Sequence, residues 1–82
     1  MNIFVASLDY GVKSHQLQEL FEQYGEVSSC KVVTDRETGR SKGFGFVEMA
    51  QHEDGARAIN ELNESSFGGR TIFVKEAEDR RR

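Results

Sequence analysis

The spacing of apolar residues alternates in some stretches of the chain and follows helical periodicity in others. "NIFVASL" (2–8) is β-branched and aromatic, begins with alternation and runs into the turn-prone "DYG", so it predicts a strand. Leu17, Leu20, Phe21 and Tyr24 stand at i, i+3, i+4 and i+7, one face of a helix that Ser14 would cap and Gly25 would end. "EVSSCKVVT" (26–34) predicts a second strand with Cys30 and Val32 inward, and the polar "DRETGRS" (35–41) joins it to a third at 42–49. Residues 52–63 predict a second helix with Gly55, Ala58, Ile59 and Leu62 on one face and Glu53 and Asp54 at its positive N-terminal end. Gly55 inside that helix costs about 1 kcal/mol relative to alanine, which close packing on a sheet would offset. "SSFGG" (65–69) reads as a turn, and "RTIFVKEA" (70–77) as the last strand, with Ile72 and Val74 inward.

The resulting order is βαββαβ. With both helices on one face of a four-stranded antiparallel sheet, this is an α+β, ferredoxin-like sandwich whose other face meets water. That face carries an oddity. Successive strand residues point to opposite sides, so in "SKGFGFVEM" (41–49) Phe44 and Phe46 share a face with Glu48, while Gly45, Val47 and Met49 share the other. Burying Glu48 unpaired would be costly, so Val47 and Met49 mark the core and two phenylalanines point at solvent.

Composition narrows what such a face is for. The 82 residues suffice for one domain, and 37% hydrophobic with 30% charged residues describes a globular chain rather than a disordered one. A single cysteine, Cys30, excludes an intrachain disulfide and a cysteine-rich zinc site. No apolar stretch approaches the roughly 20 residues that span a bilayer. Without a charged leader the N-terminus resembles no secretory signal, and a reduced, cytoplasmic setting is the expectation. Net charge is −3, against binding nucleic acid by bulk electrostatics. The charges are segregated, however: segments 31–42 and 70–82 hold nine basic and five acidic residues, and the rest of the chain two basic and nine acidic. The fold expected here places the acidic helices and the basic sheet on opposite sides.

"KGFGFVEM" (42–49) resembles the longer ribonucleoprotein motif of the RNA recognition motif family, K/R-G-F/Y-G/A-F-V-x-F/Y, departing only at Met49, which parity sends to the core. "IFVASL" (3–8) resembles the family's shorter motif, with Ser7 where asparagine is common. The resemblance covers nearly the whole chain, with residues 1–77 as the domain and 78–82 as a basic tail. It implies that both motif strands lie side by side at the sheet centre and stack two or three unpaired bases. By position, Phe4 and Phe46 are the main platforms and Phe44 lies beside them; Lys42 and Arg40 would meet phosphates, and Lys31 and Lys75 would flank the bases. The implied function is single-stranded RNA binding in post-transcriptional regulation or RNA chaperoning, with single-stranded DNA as a second ligand and no cofactor, metal or membrane. The short chain further resembles the single-domain RNA-binding proteins of bacteria.

Other readings stand beside this one. Exposed sheet aromatics also serve as cross-strand pairs, and an open sheet face also holds a protein partner or a second copy. An enzyme is not expected: His15 and His52 fall near helix starts with no nucleophile or carboxylate pair, and Gly39, Gly43 and Gly45 match no phosphate-binding loop. Tyr10 reads as turn packing and Tyr24 as helix core. Phe73 falls by parity on the open face with Thr71 and Lys75. It would extend the base platform, or else bury against the folded-back tail or a second copy in a weak homodimer.

Overall fold

Parity along the strands decides which way the sheet faces. In β3 (Ser41–Met49), Gly45, Val47 and Met49 are buried while Phe46 and Glu48 are exposed. In β1 (Asn2–Ala6), Ile3 and Val5 are fully buried and Phe4 is half-buried. The computed structural model describes residues 1–77; the tail 78–82, with Arg80, Arg81 and Arg82, lies outside the described residues. The remaining elements are α1 (Ser14–Glu22), β2 (Val27–Thr34), α2 (His52–Leu62), β4 (Ser66–Phe67), β5 (Arg70–Thr71) and β6 (Phe73–Glu76).

The main sheet has the order β2-β3-β1-β6 with every pair antiparallel, so β3 and β1 are central. Both helices cover one face. Leu17 and Phe21 of α1 and Ala58 and Leu62 of α2 meet the inward residues of the sheet in a single core that also takes in Leu8, Val12 and Ile72. Gly45 permits the close approach: a Cβ there would stand 2.6 Å from the Lys31 carbonyl oxygen and 3.3 Å from Leu17 Cδ2. The helices hold Glu19, Glu22, Glu53, Asp54 and Glu61 against Arg57 alone, and the strands hold Lys31, Lys42, Arg70 and Lys75 against Glu48 and Glu76. The charge segregation seen along the chain is thus spatial among the described residues.

Four local features differ from the sequence reading. Ser14 does not cap α1. It is the helix's first residue, and its hydroxyl accepts the Val32 N–H at 3.0 Å, tying α1 to β2, while Gln16 Oε1 accepts the Lys13 N–H at the helix start. The strand expected at 70–77 is split. Residues 66–71 form a hairpin through Gly68 (φ +65°) and Gly69 (φ +87°), positive angles that suit a two-residue hairpin turn. Ile72 then exchanges backbone bonds with Glu64 and Ser65 before β6 joins β1. β1 stops at Ala6 because Ser7 takes φ +62°. Gly55 packs on the Met1 side chain, where a Cβ would collide with the sulfur, rather than directly on the sheet.

Cys30 is half-buried between β2 and α1, with Sγ 3.5 Å from the Ser14 carbonyl oxygen. Burial, assisted by the Glu22 carboxylate, pushes its thiol up to about 11, so it stays protonated and serves packing rather than nucleophilic chemistry.

Candidate nucleic-acid interface

The register of the sheet assembles the site. Phe46 pairs with Phe4, Lys31 lies opposite Phe46, and Lys75 lies opposite Phe4. One row across the open face therefore reads Lys31–Phe46–Phe4–Lys75, two rings flanked by two cations. The next row reads Phe44–Ala6–Phe73. Glu48 and Asn2 pair at the far end of the face, where Ser29 Oγ donates to Glu48 Oε1.

The three motif rings form one cluster. Phe4 lies 5.4 Å from Phe46 and 5.7 Å from Phe44 between centroids, with tilted planes, and Phe44 meets Phe46 edge-on at 6.2 Å. These are favourable aromatic geometries, so the rings hold one another in place and leave part of their surfaces to solvent. Phe46 remains 44% exposed although the rings shield one another. Lys75 Nζ stands 5.9 Å from the Phe4 centroid, a cation–π contact that covers Phe4 at rest. Phe73 is 48% exposed on the edge strand. With Phe4, Ala6, Asn63 and Lys75 it borders a groove of about 470 Å³, and Asn63 Oδ1 fixes that edge by accepting the Val74 N–H at 2.9 Å. Ala6 stands between Phe44 and Phe73 in the register.

Lys42 and Arg40 stand off this row. Both are exposed and lie past Phe44, where the loop between β2 and β3 begins. That loop is ordered by Asp35, whose carboxylate accepts the N–H groups of Glu37 (2.8 Å) and Thr38 (3.3 Å). Those bonds, aided by the Lys42 charge, hold the Asp35 carboxyl below its ordinary value. Arg40 is held in the same loop: its carbonyl accepts the Asp35 N–H at 2.7 Å.

The structure thus gathers Phe4, Phe44, Phe46, Phe73, Lys31 and Lys75 on one face and sets Lys42 and Arg40 at its end. Tyr10 departs from the turn-packing expectation: it is 66% exposed, and the Arg70 guanidinium carbon lies 6.0 Å from its centroid. The two residues are far apart in sequence and meet only through the hairpin, so no local signal could have paired them. Among the described residues no group of three or more His, Cys, Asp and Glu side chains is placed to hold a metal ion, and no helix is long and apolar enough to cross a membrane.

An open β3–β1 face bearing these rings is the arrangement of one class of nucleic-acid-binding domain. The RNA recognition motif model matches residues 3–72, and the chain belongs to that family. It is 49% identical over 80 residues to the chloroplastic 31 kDa ribonucleoprotein of Nicotiana sylvestris, covering 98% of this chain and 25% of the relative. The crystal structure of RNA binding protein PG1 superposes with a TM-score of 0.95 at 54% identity, covering 100% of this chain and 99% of the other. The Rna15 RRM with bound RNA (GU) superposes at 0.86 with 29% identity, covering 95% and 83%. This chain spans about a quarter to a half of the length of the first curated relatives, 25% in one and 48% in another.

These relatives correct two expectations. The curated ones are plant proteins rather than short bacterial ones. Several are chloroplastic, which overturns the cytoplasmic assignment. The reason is physical: targeting segments are separate from the fold and are removed on processing, so the composition of a folded domain carries no address.

Proposed function

We propose that this chain binds single-stranded RNA by laying two or three unpaired bases on the Phe4–Phe44–Phe46 cluster, in support of post-transcriptional RNA handling. The observation that carries the reading is the row Lys31–Phe46–Phe4–Lys75 on a sheet face that no element among the described residues covers. Three clustered rings on the wet side of a sheet bury no core, and each offers a π-face to a base. Stacking contributes roughly 1–3 kcal/mol per base and tolerates any base, so the gross gain is several kcal/mol before ordering costs. A base covering Phe4 displaces Lys75, which then turns to a neighbouring phosphate; the lost cation–π contact costs about 0.5–1 kcal/mol at an exposed site. Micromolar affinity, about −8 kcal/mol, is reached without a strongly basic surface. The RNA held by the related Rna15 domain supports the same ligand class.

In this reading residues 1–77 are the binding unit, Phe73 extends the platform across Ala6, and Lys42 and Arg40 take phosphates at the end of the sheet. Single-stranded DNA presents bases with equivalent π-faces and is a second ligand. The exposure of Phe73 also favours a second reading, in which two copies bury this face against each other in a weak homodimer. Fluorescence anisotropy with one labelled oligonucleotide, free and annealed to its complement, tests the function. The single strand should bind in the micromolar range and the duplex, whose bases are stacked internally, should not. Equal binding of both would refute base stacking as the basis of recognition.

A further inference from the structure

One charge on the aromatic face has the wrong sign for an RNA ligand. Glu48 stands exposed on β3, two residues past Phe46 and on the same side of the sheet. A carboxylate there repels phosphates, and the stacking rings make no use of it. Nor does it serve the fold as half of an ion pair: the salt bridge found among the described residues joins Asp54 to Arg57 on α2. The side-chain hydrogen bond that Glu48 does accept comes from Ser29 Oγ at 3.5 Å, the outer limit for such a bond, and both residues are exposed. A ligand displaces so weak a contact readily.

The residue across from Glu48 narrows its chemistry. The register sets it opposite Asn2 of β1, so a carboxylate and a primary amide share the row next to Phe46 and Phe4. Side chains directly opposite in a strand pair have Cβ atoms about 4.5–5.5 Å apart, and two residues of strand span roughly 7 Å. A base lying on Phe46 therefore reaches this row with one edge.

The four bases answer the pair differently. Guanine presents two adjacent donors, N1–H and the N2 amino group, which fill both carboxylate oxygens, and an acceptor, O6, for the amide of Asn2. Uracil presents N3–H between two carbonyls, so the second carboxylate oxygen meets another oxygen. Adenine and cytosine each set one amino group beside a ring nitrogen lone pair, which repels that second oxygen. Guanine alone satisfies the whole row.

We propose that Glu48, with Asn2 opposite it, selects guanine for the base stacked on Phe46. The inference rests on the stacking function proposed above. Stacking supplies affinity for any base, and the Glu48–Asn2 pair supplies preference by reading the exposed edge of an unpaired one. An acid near phosphates weakens every strand, and that loss is offset only where guanine engages it.

Calorimetric titration with the RNA pentanucleotides UUGUU, UUAUU, UUCUU and UUUUU, and with UUIUU carrying inosine, tests it. Wild-type protein should bind UUGUU about five- to 150-fold more tightly than UUUUU, the range for one bidentate base contact, with adenine and cytosine close to uracil. Inosine lacks only the N2 amino group of guanine and should fall between guanine and uracil. Glu48→Gln keeps the size of the side chain but not its paired acceptors, and should bring UUGUU to within about twofold of UUUUU. Asn2→Ala should shrink the guanine preference by about threefold or more. A preference that survives unchanged in either variant overturns the pair as a reader, and so does equal wild-type binding of all five strands. An equal loss on all five in Glu48→Gln would make Glu48 a support for the sheet and also overturn it. Phe46→Ala tells this apart from failure of the platform: it should weaken all five strands, and if it binds them as wild type does, the stacking function falls and the guanine reader with it.

Discussion

Truncating Phe46 separates a binding ring from a core ring. The side chain is 44% exposed and touches Phe4 and Phe44 along its edges. Removing a fully buried phenylalanine costs about 3–5 kcal/mol. With nearly half of its surface already in water, Phe46→Ala should cost about 1–2 kcal/mol, including loss of the two ring pairs. For a domain of this size that lowers the unfolding midpoint by roughly 5–15 °C and leaves it folded at room temperature. Binding should lose the whole of one stacking contact, about 1–3 kcal/mol, or roughly five- to 150-fold in Kd. Phe46→Tyr keeps the ring and should bind within twofold of wild type. Anisotropy at 15 °C, with circular dichroism confirming the fold, reads both effects. A variant that binds normally while folded refutes the platform. One that cannot fold at all places the ring in the core and inverts the face assignment.

The other expectations are narrower. The sheet and its loop offer about two to four phosphate contacts, so raising salt from roughly 50 to 200 mM should weaken binding about 10- to 50-fold; a loss of several thousandfold would mean that charge, not stacking, supplies most of the affinity. Phe73→Ser should weaken RNA binding at unchanged sedimentation, whereas a wild-type dimer that RNA dissociates would assign Phe73 to self-association. Ser7 holds a left-handed conformation that asparagine tolerates better; Ser7→Asn should raise the unfolding midpoint by roughly 3–6 °C, and a fall would contradict the strain argument. Asp35 has a folded-state pKa below its unfolded one, so its ordering of the loop is complete above about pH 4 and is lost as pH falls through the lower folded value. The Glu37 amide resonance should report that titration, and a midpoint at or above the ordinary aspartate value would exclude the hydrogen-bonded carboxylate.

The open face was legible because alternation in strands depends only on parity. Glu48 fixed which side of 42–49 was wet, and that alone placed Phe44 and Phe46. The motif on 3–8 then placed Phe4 beside them, and the register sets Phe4 opposite Phe46. Helix faces were equally clear from Leu17 and Phe21 and from Ala58 and Leu62. What escaped depends on contacts distant in sequence. Ser14 looks like a cap from its neighbours, yet its hydroxyl meets Val32 in another element. The split of the last strand follows from Ile72 bonding to Glu64 and Ser65, a pairing that alternation within 70–77 cannot encode. Tyr10 and Arg70 meet for the same reason, through a hairpin whose seat is Val12 and Asp9. Ser7 is a case of its own. The motif shows only that asparagine is common there, while the backbone gives the position φ +62°, a conformational role.

RNA on the β3–β1 face is what the proposed function requires. Titration of isotopically labelled protein with (GU)₃, followed by amide and aromatic chemical shifts, tests it most directly. The largest shifts should fall in the rings of Phe4, Phe44 and Phe46 and in the amides of 3–6 and 42–48, with the solvent faces of α1 and α2 unmoved. Shifts concentrated on the helices, or saturation without any change in the three rings, would contradict it.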